Sequence, residues 1–423
     1  MRIAVIGGGA AGFFSAIWAK ENHPQAAVTI FEKSQKVLSK VKVSGGGRCN
    51  VTNGTTSISE LSKGYPRGEK QLKKAFSVFN TNHTRAWFES RGVELYTQPD
   101  NRVFPTSNDS QTIIDCLFRE TKRLGISLEL GVGITALKSK LDKLELQFLG
   151  EKKSEAFDKV IIATGGSPSR KGFDWLEKLG HKIEEPVPSL FTFNMPSESI
   201  KELMGVVAEN AIVSIQGTKL RSQGPLLITH WGMSGPAILK LSAFGAKILS
   251  EMNYEFKIQV NWGGEMNNEK VMRQLLEITE ANRNKLIQNI KPFGIPERLW
   301  LFLLERSDMA PTKKWSEVGK KGLNKLVNTL TNDEYKVSGK TTFKEEFVTC
   351  GGISLESVNF NTMESRVIPN LYFAGEVLDI DGITGGYNFQ AAWTTGFIAG
   401  MLGRLHRETL KKGDSQSAGF SDQ

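Results

Sequence analysis

The residues best placed to do chemistry start at the seventh position. Gly7, Gly9 and Gly12 form a G-x-G-x-x-G loop, with Ala10 and Ala11 between the last two glycines. The apolar, β-branched run Arg2–Ile6 precedes it, and a small-residue segment, 13–20, follows. Gly7 permits a tight turn, Gly9 lets backbone approach a pyrophosphate, and Gly12 lets a helix pack close to a sheet. The free N–H groups and dipole of that helix favour a bound anion. A second apolar run, 28–31, ends at Glu32, where a carboxylate can accept hydrogen bonds from ribose hydroxyls and would repel a 2′-phosphate. A strand, this loop, a helix and a second acidic-ended strand together read as a dinucleotide site.

Three further segments have the composition of ligand loops. Residues 39–53 place Lys40, Ser44, Gly45, Gly46, Gly47, Arg48, Asn50, Thr52 and Asn53 in one stretch, read as a loop. Its glycines let backbone lie flat on a ligand, and its polar groups suit a pyrophosphate and a polar ring edge. A strand over 158–162 ends in Ala163-Thr164-Gly165-Gly166. Another, over 370–374, ends in Gly375-Glu376, with Asp379 following. Then Gly385-Gly386 precede Tyr387, Asn388, Gln390 and Ala391 at the start of a small-residue helix. A second helix N-terminus stabilises negative charge. Two distant glycine loops serving one long ligand point to FAD rather than NAD, and Tyr387, Asn388 and Gln390 are expected to face the isoalloxazine. Lys33 and Ile134 complete the expected cofactor contacts. With no second G-x-G-x-x-G there is no separate NAD(P) domain, so NAD(P)H enters only as a transient electron donor.

His230, ahead of Gly232 and Ser234-Gly235-Pro236, has two readings. One is a proton donor or substrate contact; the other is a histidine that fixes its own turn. His23, His83, His181 and His406 read as surface residues. Cys49 beside Arg48 reads either as a thiol of lowered pKa or as a small buried residue. No H-E-x-x-H, Ser-His-Asp order or paired-carboxylate pattern occurs, and no metal site is expected. The hard chemistry therefore falls to the cofactor.

The elements that must position these groups fit an ordinary globular protein. The chain has 423 residues, enough for two or three domains, with 39% apolar and 23% charged residues. The net charge of +9 is spread without a block of like charges, so no nucleic-acid partner is expected. Three cysteines without a C-x-x-C, and no apolar run of spanning length, fit a cytoplasmic protein that neither crosses nor binds a membrane.

The motifs resemble a known family. Lys40 to Asn53 is similar to a K-x-x-x-S-G-G-G-R-C-N-x-T-N signature, 229–236 to T-H-x-G-x-S-G-P, and 349–390 to T-x-G-G-[VI] … T-M-E-S … Y-F-A-G-E-x-L-D-x-x-G-x-T-G-G-Y-N-x-Q. These belong to bacterial NAD(P)/FAD-dependent oxidoreductases, the aminoacetone-oxidase-like and BaiN-like flavoproteins. Arg366 departs from the lysine expected there but keeps the charge. The resemblance implies an α/β fold with a Rossmann-type FAD-binding domain made of N- and C-terminal segments, 1–189 and 344–408. It also implies an insert domain, 190–343, β-rich and then helical, and a flexible tail, 409–423. It implies hydride transfer between a small organic substrate and NAD(P)H or oxygen. A flavin-dependent RNA-modifying enzyme and a protein with purely structural FAD stay open as alternatives.

Overall fold

A computed structural model describes residues 1–140, 142–150, 152–341 and 348–404. The tail expected over 409–423, and His406, lie outside the described residues. The chain divides into two compact units, one of Met1–Val187 with the segment from Val348 onward, the other of Pro188–Phe347.

The first unit is built on a seven-stranded sheet. Its centre is parallel: Arg2–Ile6 lies between Lys159–Ile162 and Ala27–Glu32, flanked by Leu371–Phe373 on one side and Ser127–Leu130 on the other. Two short antiparallel strands, Val358–Asn359 and Glu364–Ser365, finish one edge. The central runs are apolar on both faces because helices cover parallel sheets; Ile3, Ala4, Val5 and Val160 through Ile162 are buried.

The first helix, Ala10–Asn22, packs against the last helix, Tyr387–Gly400. Small residues set the approach. A Cβ on Gly396 would stand 3.0 Å from the Ala11 carbonyl, and one on Gly400 would stand 2.8 Å from that of Ser15. Phe14 against Trp393 and Trp18 against Phe397 fill the space between. Both contacts advance in the same chain direction, so the helices run parallel. The last helix starts nine residues before Gly396, the first only one before Ala11. That eight-residue offset is about 12 Å at the helical rise. Both N-termini therefore point the same way, one beyond the other.

The second unit has its own seven-stranded sheet and core. A sixteen-residue helix, Pro236–Glu251, falls within the stretch whose sequence read as β-rich. Pro236 opens it, and Ile238, Leu241, Gly245 and Leu249 give the helical spacing of its buried face. Helices Asn268–Ala281, Glu297–Arg306 and Gly319–Thr331 follow. An edge strand of the sheet, Asp333–Ser338, is tied to this layer through buried Asp333, which accepts from Trp262 Nε1 at 2.9 Å and Arg306 Nε at 2.8 Å. Among the described residues, no helix is long and apolar enough to cross a membrane.

Candidate functional site

The glycine loop does what its spacing requires. Gly7 sits at φ +113°, and a Cβ there would meet the Ala163 carbonyl oxygen at 2.3 Å. A Cβ on Gly12 would meet the Gly7 oxygen at 1.9 Å. Gly9 is different: it caps the first helix, and a Cβ there would meet nothing within 4 Å. No side chain caps that helix and no acidic residue occupies its first turn. Its leading N–H groups, at Ala10 and Ala11, are therefore left without a capping side chain and suit an anion. Glu32 ends its strand by accepting from Gly8 N at 2.8 Å and Ser34 N at 2.9 Å. Each carboxylate oxygen keeps a lone pair for a hydroxyl. Lys33 is exposed just beyond. The turn leading to half-buried Ile134 is held beside this corner by Val132 N donating to the Glu32 carbonyl at 2.9 Å.

The middle of the site joins three parts of the chain. Ala163 N donates to the Ile6 carbonyl at 2.8 Å, Thr164 is exposed, and a Cβ on Gly165 would meet nothing within 4 Å. Gly166 lies over Thr349 Oγ1 and the Glu376 side chain, leaving no room for a Cβ. Glu376 in turn binds Lys40 Nζ at 2.6 Å and accepts from Thr349 N at 3.3 Å. Gly375, at φ +77°, is fixed by Thr395 Oγ1, which accepts its N–H at 2.9 Å. No local pattern announces the Lys40–Glu376 pair, because 336 residues separate its partners.

The segment read as a loop over 39–53 begins as a helix, Ser39–Gly47, broken by non-helical backbone at Ser44, Gly45 and Gly46. Ser39 to Val43 complete a turn before the glycines end it. A Cβ on Gly46 or Gly47 would again meet nothing within 4 Å. Gly45 instead packs against Phe104, and the Arg48 guanidinium lies 4.2 Å over that ring while donating to the Gly45 carbonyl at 3.1 Å. Cys49 is fully buried at φ +62°, and burial pushes its thiol up to about 12, opposite to the lowering that Arg48 suggested.

Several polar residues expected to meet the ring shape the backbone instead. Gln390 is fully buried. Its Oε1 accepts from Thr52 Oγ1 at 2.5 Å and Thr84 Oγ1 at 2.9 Å, and its Nε2 donates to Thr394 Oγ1 at 3.0 Å. Its carbonyl oxygen is filled and the side chain is wholly enclosed in the core, so the expectation that it faces the isoalloxazine is corrected, and Thr52 is committed with it. Asn388 clasps Gly382, accepting its N–H at 2.8 Å and donating to its carbonyl at 3.0 Å. Asn53 Nδ2 donates to the Gly385 carbonyl at 2.8 Å, Asn50 Oδ1 accepts from Val103 N at 3.2 Å, and Asp379 Oδ1 accepts from Gly351 N at 2.8 Å. Tyr387 is half-buried with its ring against Gly64 and Tyr65 and its Cβ against Gly382, and burial raises its pKa. Gly386 is left-handed at φ +88°, without room for a Cβ beside the Thr52 carbonyl. It caps the last helix, which has no capping side chain and no acidic residue in its first turn; Ala391 is buried one turn in.

These residues fit a long dinucleotide cofactor. Gly9, Gly46, Gly47 and Gly165 each face space that a Cβ would not fill, and two uncapped helix N-termini point the same way, offset along their axes by about 12 Å. The first would hold the pyrophosphate, and the second would stabilise charge on the flavin ring.

In the second unit, His230 and Trp231 are exposed on the turn Thr229–Gly232, with ring centroids 4.5 Å apart. Thr229 fixes this turn, its Oγ1 accepting from Trp231 N at 3.3 Å and Gly232 N at 3.2 Å. The turn-fixing role weighed for His230 thus falls to its neighbour. His181, read as a surface residue, is buried instead, with Nε2 2.8 Å from Ser365 Oγ and its ring edge on Phe373.

Residues 1–402 match the HI0933-like protein Rossmann domain. The chain belongs to the HI0933-like family. A curated member, the 3-dehydro-bile acid delta(4,6)-reductase of Clostridium scindens, is 28% identical over 408 residues, covering 94% of this chain and 98% of that one. The ribosomal RNA dihydrouridine synthase of Escherichia coli is 28% identical over 405 residues, covering 92% and 95%. Among solved structures, the 3-ketosteroid delta1-dehydrogenase of Sterolibacterium denitrificans aligns with a TM-score of 0.51 at 11% identity, covering 94% of this chain and 98% of that one. That likeness shows the shared α/β fold. This HI0933-like chain is an FAD-dependent oxidoreductase.

Proposed function

We propose that this chain reduces a carbon–carbon double bond conjugated to a carbonyl group in a small organic substrate. One observation carries the reading: two full-length relatives of equal identity are named for reactions that share this chemistry. A 3-oxo-4,6-diene and the uracil ring each present a C=C activated by a C=O. Bound FAD would supply the hydride for the β-carbon, with NAD(P)H proposed as the source of the electrons.

The chain's own residues would do the rest. The Gly9 turn and Lys40 would hold the pyrophosphate, Glu32 the ribose, and the uncapped start of the last helix the ring edge. A proton must reach the α-carbon, and His230 is the proposed donor. Its imidazole is exposed, makes no hydrogen bond among the described residues, and sits on a turn held by Thr229.

Anaerobic stopped-flow mixing with NADH and NADPH tests the donor through bleaching of the flavin absorbance. Reduced enzyme is then mixed with a 4-en-3-one steroid, cyclohexenone or a uridine-containing rRNA fragment. Reoxidation by an enone with loss of its double bond is the expected result. If no conjugated substrate reoxidises the enzyme faster than buffer does, the reading fails.

A base in RNA is the second reading, favoured by the Escherichia coli relative. Binding to an rRNA fragment that falls steeply between two salt concentrations, with reoxidation by that fragment alone, would select it.

A further inference from the structure

The turn before the last helix is held by an ion pair that the dinucleotide motif does not require. Arg67 Nε donates to Asp381 Oδ1 at 2.5 Å and Arg67 Nη2 to Asp381 Oδ2, a two-pronged contact across 314 residues. The Asp381 side chain is fully buried and that of Arg67 is 12% exposed. Their backbones also form an isolated antiparallel bridge. Around it, Ile383 N donates to the Gly64 carbonyl at 2.9 Å, and Tyr65 OH donates to the Tyr387 carbonyl at 2.7 Å. Gly64 and Gly68 leave no room for a Cβ against Tyr387 and Ile380. The segment 64–68 is thus a brace under residues 380–387.

A brace alone needs no charge. Apolar residues of similar volume often replace a buried ion pair without loss of stability. Charge at this place has a second effect. The loop carries two buried carboxylates, Asp379 and Asp381, eight and six residues before the first residue of the last helix, whose N-terminus favours negative charge. An uncompensated carboxylate there would oppose the electron density that builds on a reduced flavin.

We propose that Arg67 and Asp381 are positioning residues for hydride transfer, a charge-balanced brace that fixes the start of the last helix and sets how readily the flavin is reduced. The inference rests on the reading that this helix start lies at the flavin ring.

The experiment is a dye-equilibrated redox titration of full-length holoprotein for the wild type, Arg67→Met, Asp381→Asn and the double variant Arg67→Met/Asp381→Leu. Apo melting temperature and FAD affinity by fluorescence are read beside it. Arg67→Met leaves a carboxylate unbalanced, so its reduced-to-oxidised ratio at fixed potential should fall about tenfold, a negative shift of about 30 mV. Asp381→Asn should shift the potential in the positive direction, and the double variant should return towards the wild type. A purely structural brace would move both single variants the same way, or lower melting temperature and affinity with no change in potential; either result overturns the inference. Should Arg67→Met fail to fold, Arg67→Lys keeps the charge and should keep the wild-type potential. Asp381→Asn then decides, because an unshifted or lowered potential refutes the role. Wild-type protein that binds no FAD would instead refute the cofactor reading itself.

Discussion

Gly9 and Gly12 lie three residues apart in one loop and differ in what a side chain would meet. At Gly12 the obstacle is the Gly7 carbonyl at 1.9 Å; at Gly9 there is none within 4 Å. Gly12→Ala should therefore yield little soluble holoprotein. Gly9→Ala should leave the apo melting temperature unchanged and weaken FAD binding about tenfold or more, some 1.4 kcal/mol. Unchanged affinity in a fluorescence titration of Gly9→Ala would remove the pyrophosphate from this position. Gln390→Leu would strand the hydroxyls of Thr52 and Thr84, costing about 2 kcal/mol in a denaturant melt. His230→Gln should leave flavin reduction by the nicotinamide intact and slow substrate-driven reoxidation about a hundredfold. Equal slowing of both half-reactions would count against a proton-donor role.

At the scale of elements, the strand–loop–helix unit was legible because each position carries its own local cause: β-branched residues for the strand, glycines where a Cβ cannot fit. The Gly386 start of the last helix was legible for the same reason. The insert helix Pro236–Glu251 was not, because its apolar residues adjoin strand-like runs, although Pro236 and the 3.6-residue spacing announce it. Gln390 was misread because polarity beside glycines resembles a ligand loop, and only the fold shows three threonines converging on it. His181 was misread for the same reason, since its partners Ser365 and Phe373 are distant in sequence. Burial lowers the His181 pKa below its ordinary 6.5, so the folded state resists protonation there. The unfolded chain then binds the extra proton, and stability should decline as pH falls below about 6.5. Melting temperatures across that range should show a shallower decline for His181→Gln. An unaltered slope would assign the acid sensitivity elsewhere.

At the scale of the whole molecule, two units with separate cores predict that unfolding need not be a single transition. FAD at one hundred times its Kd should stabilise the unit that holds it by about 2.7 kcal/mol. Denaturant melts followed by circular dichroism should then show two steps with cofactor and draw towards one without it. A single step under both conditions would mean that the two cores melt as one.

The parallel pairing of the first and last helices bears on how the protein is made. Ala10–Asn22 emerges from the ribosome well before the surface that covers it, Tyr387–Gly400. Between them an entire second core is synthesised and has time to fold. A nascent chain stalled before residue 387 would carry the Gly7–Gly12 loop without the start of the last helix, and it should not retain flavin. Cofactor loading is then a check that synthesis has passed residue 400: chains terminated before it should stay colourless, with the apolar face of their first helix uncovered.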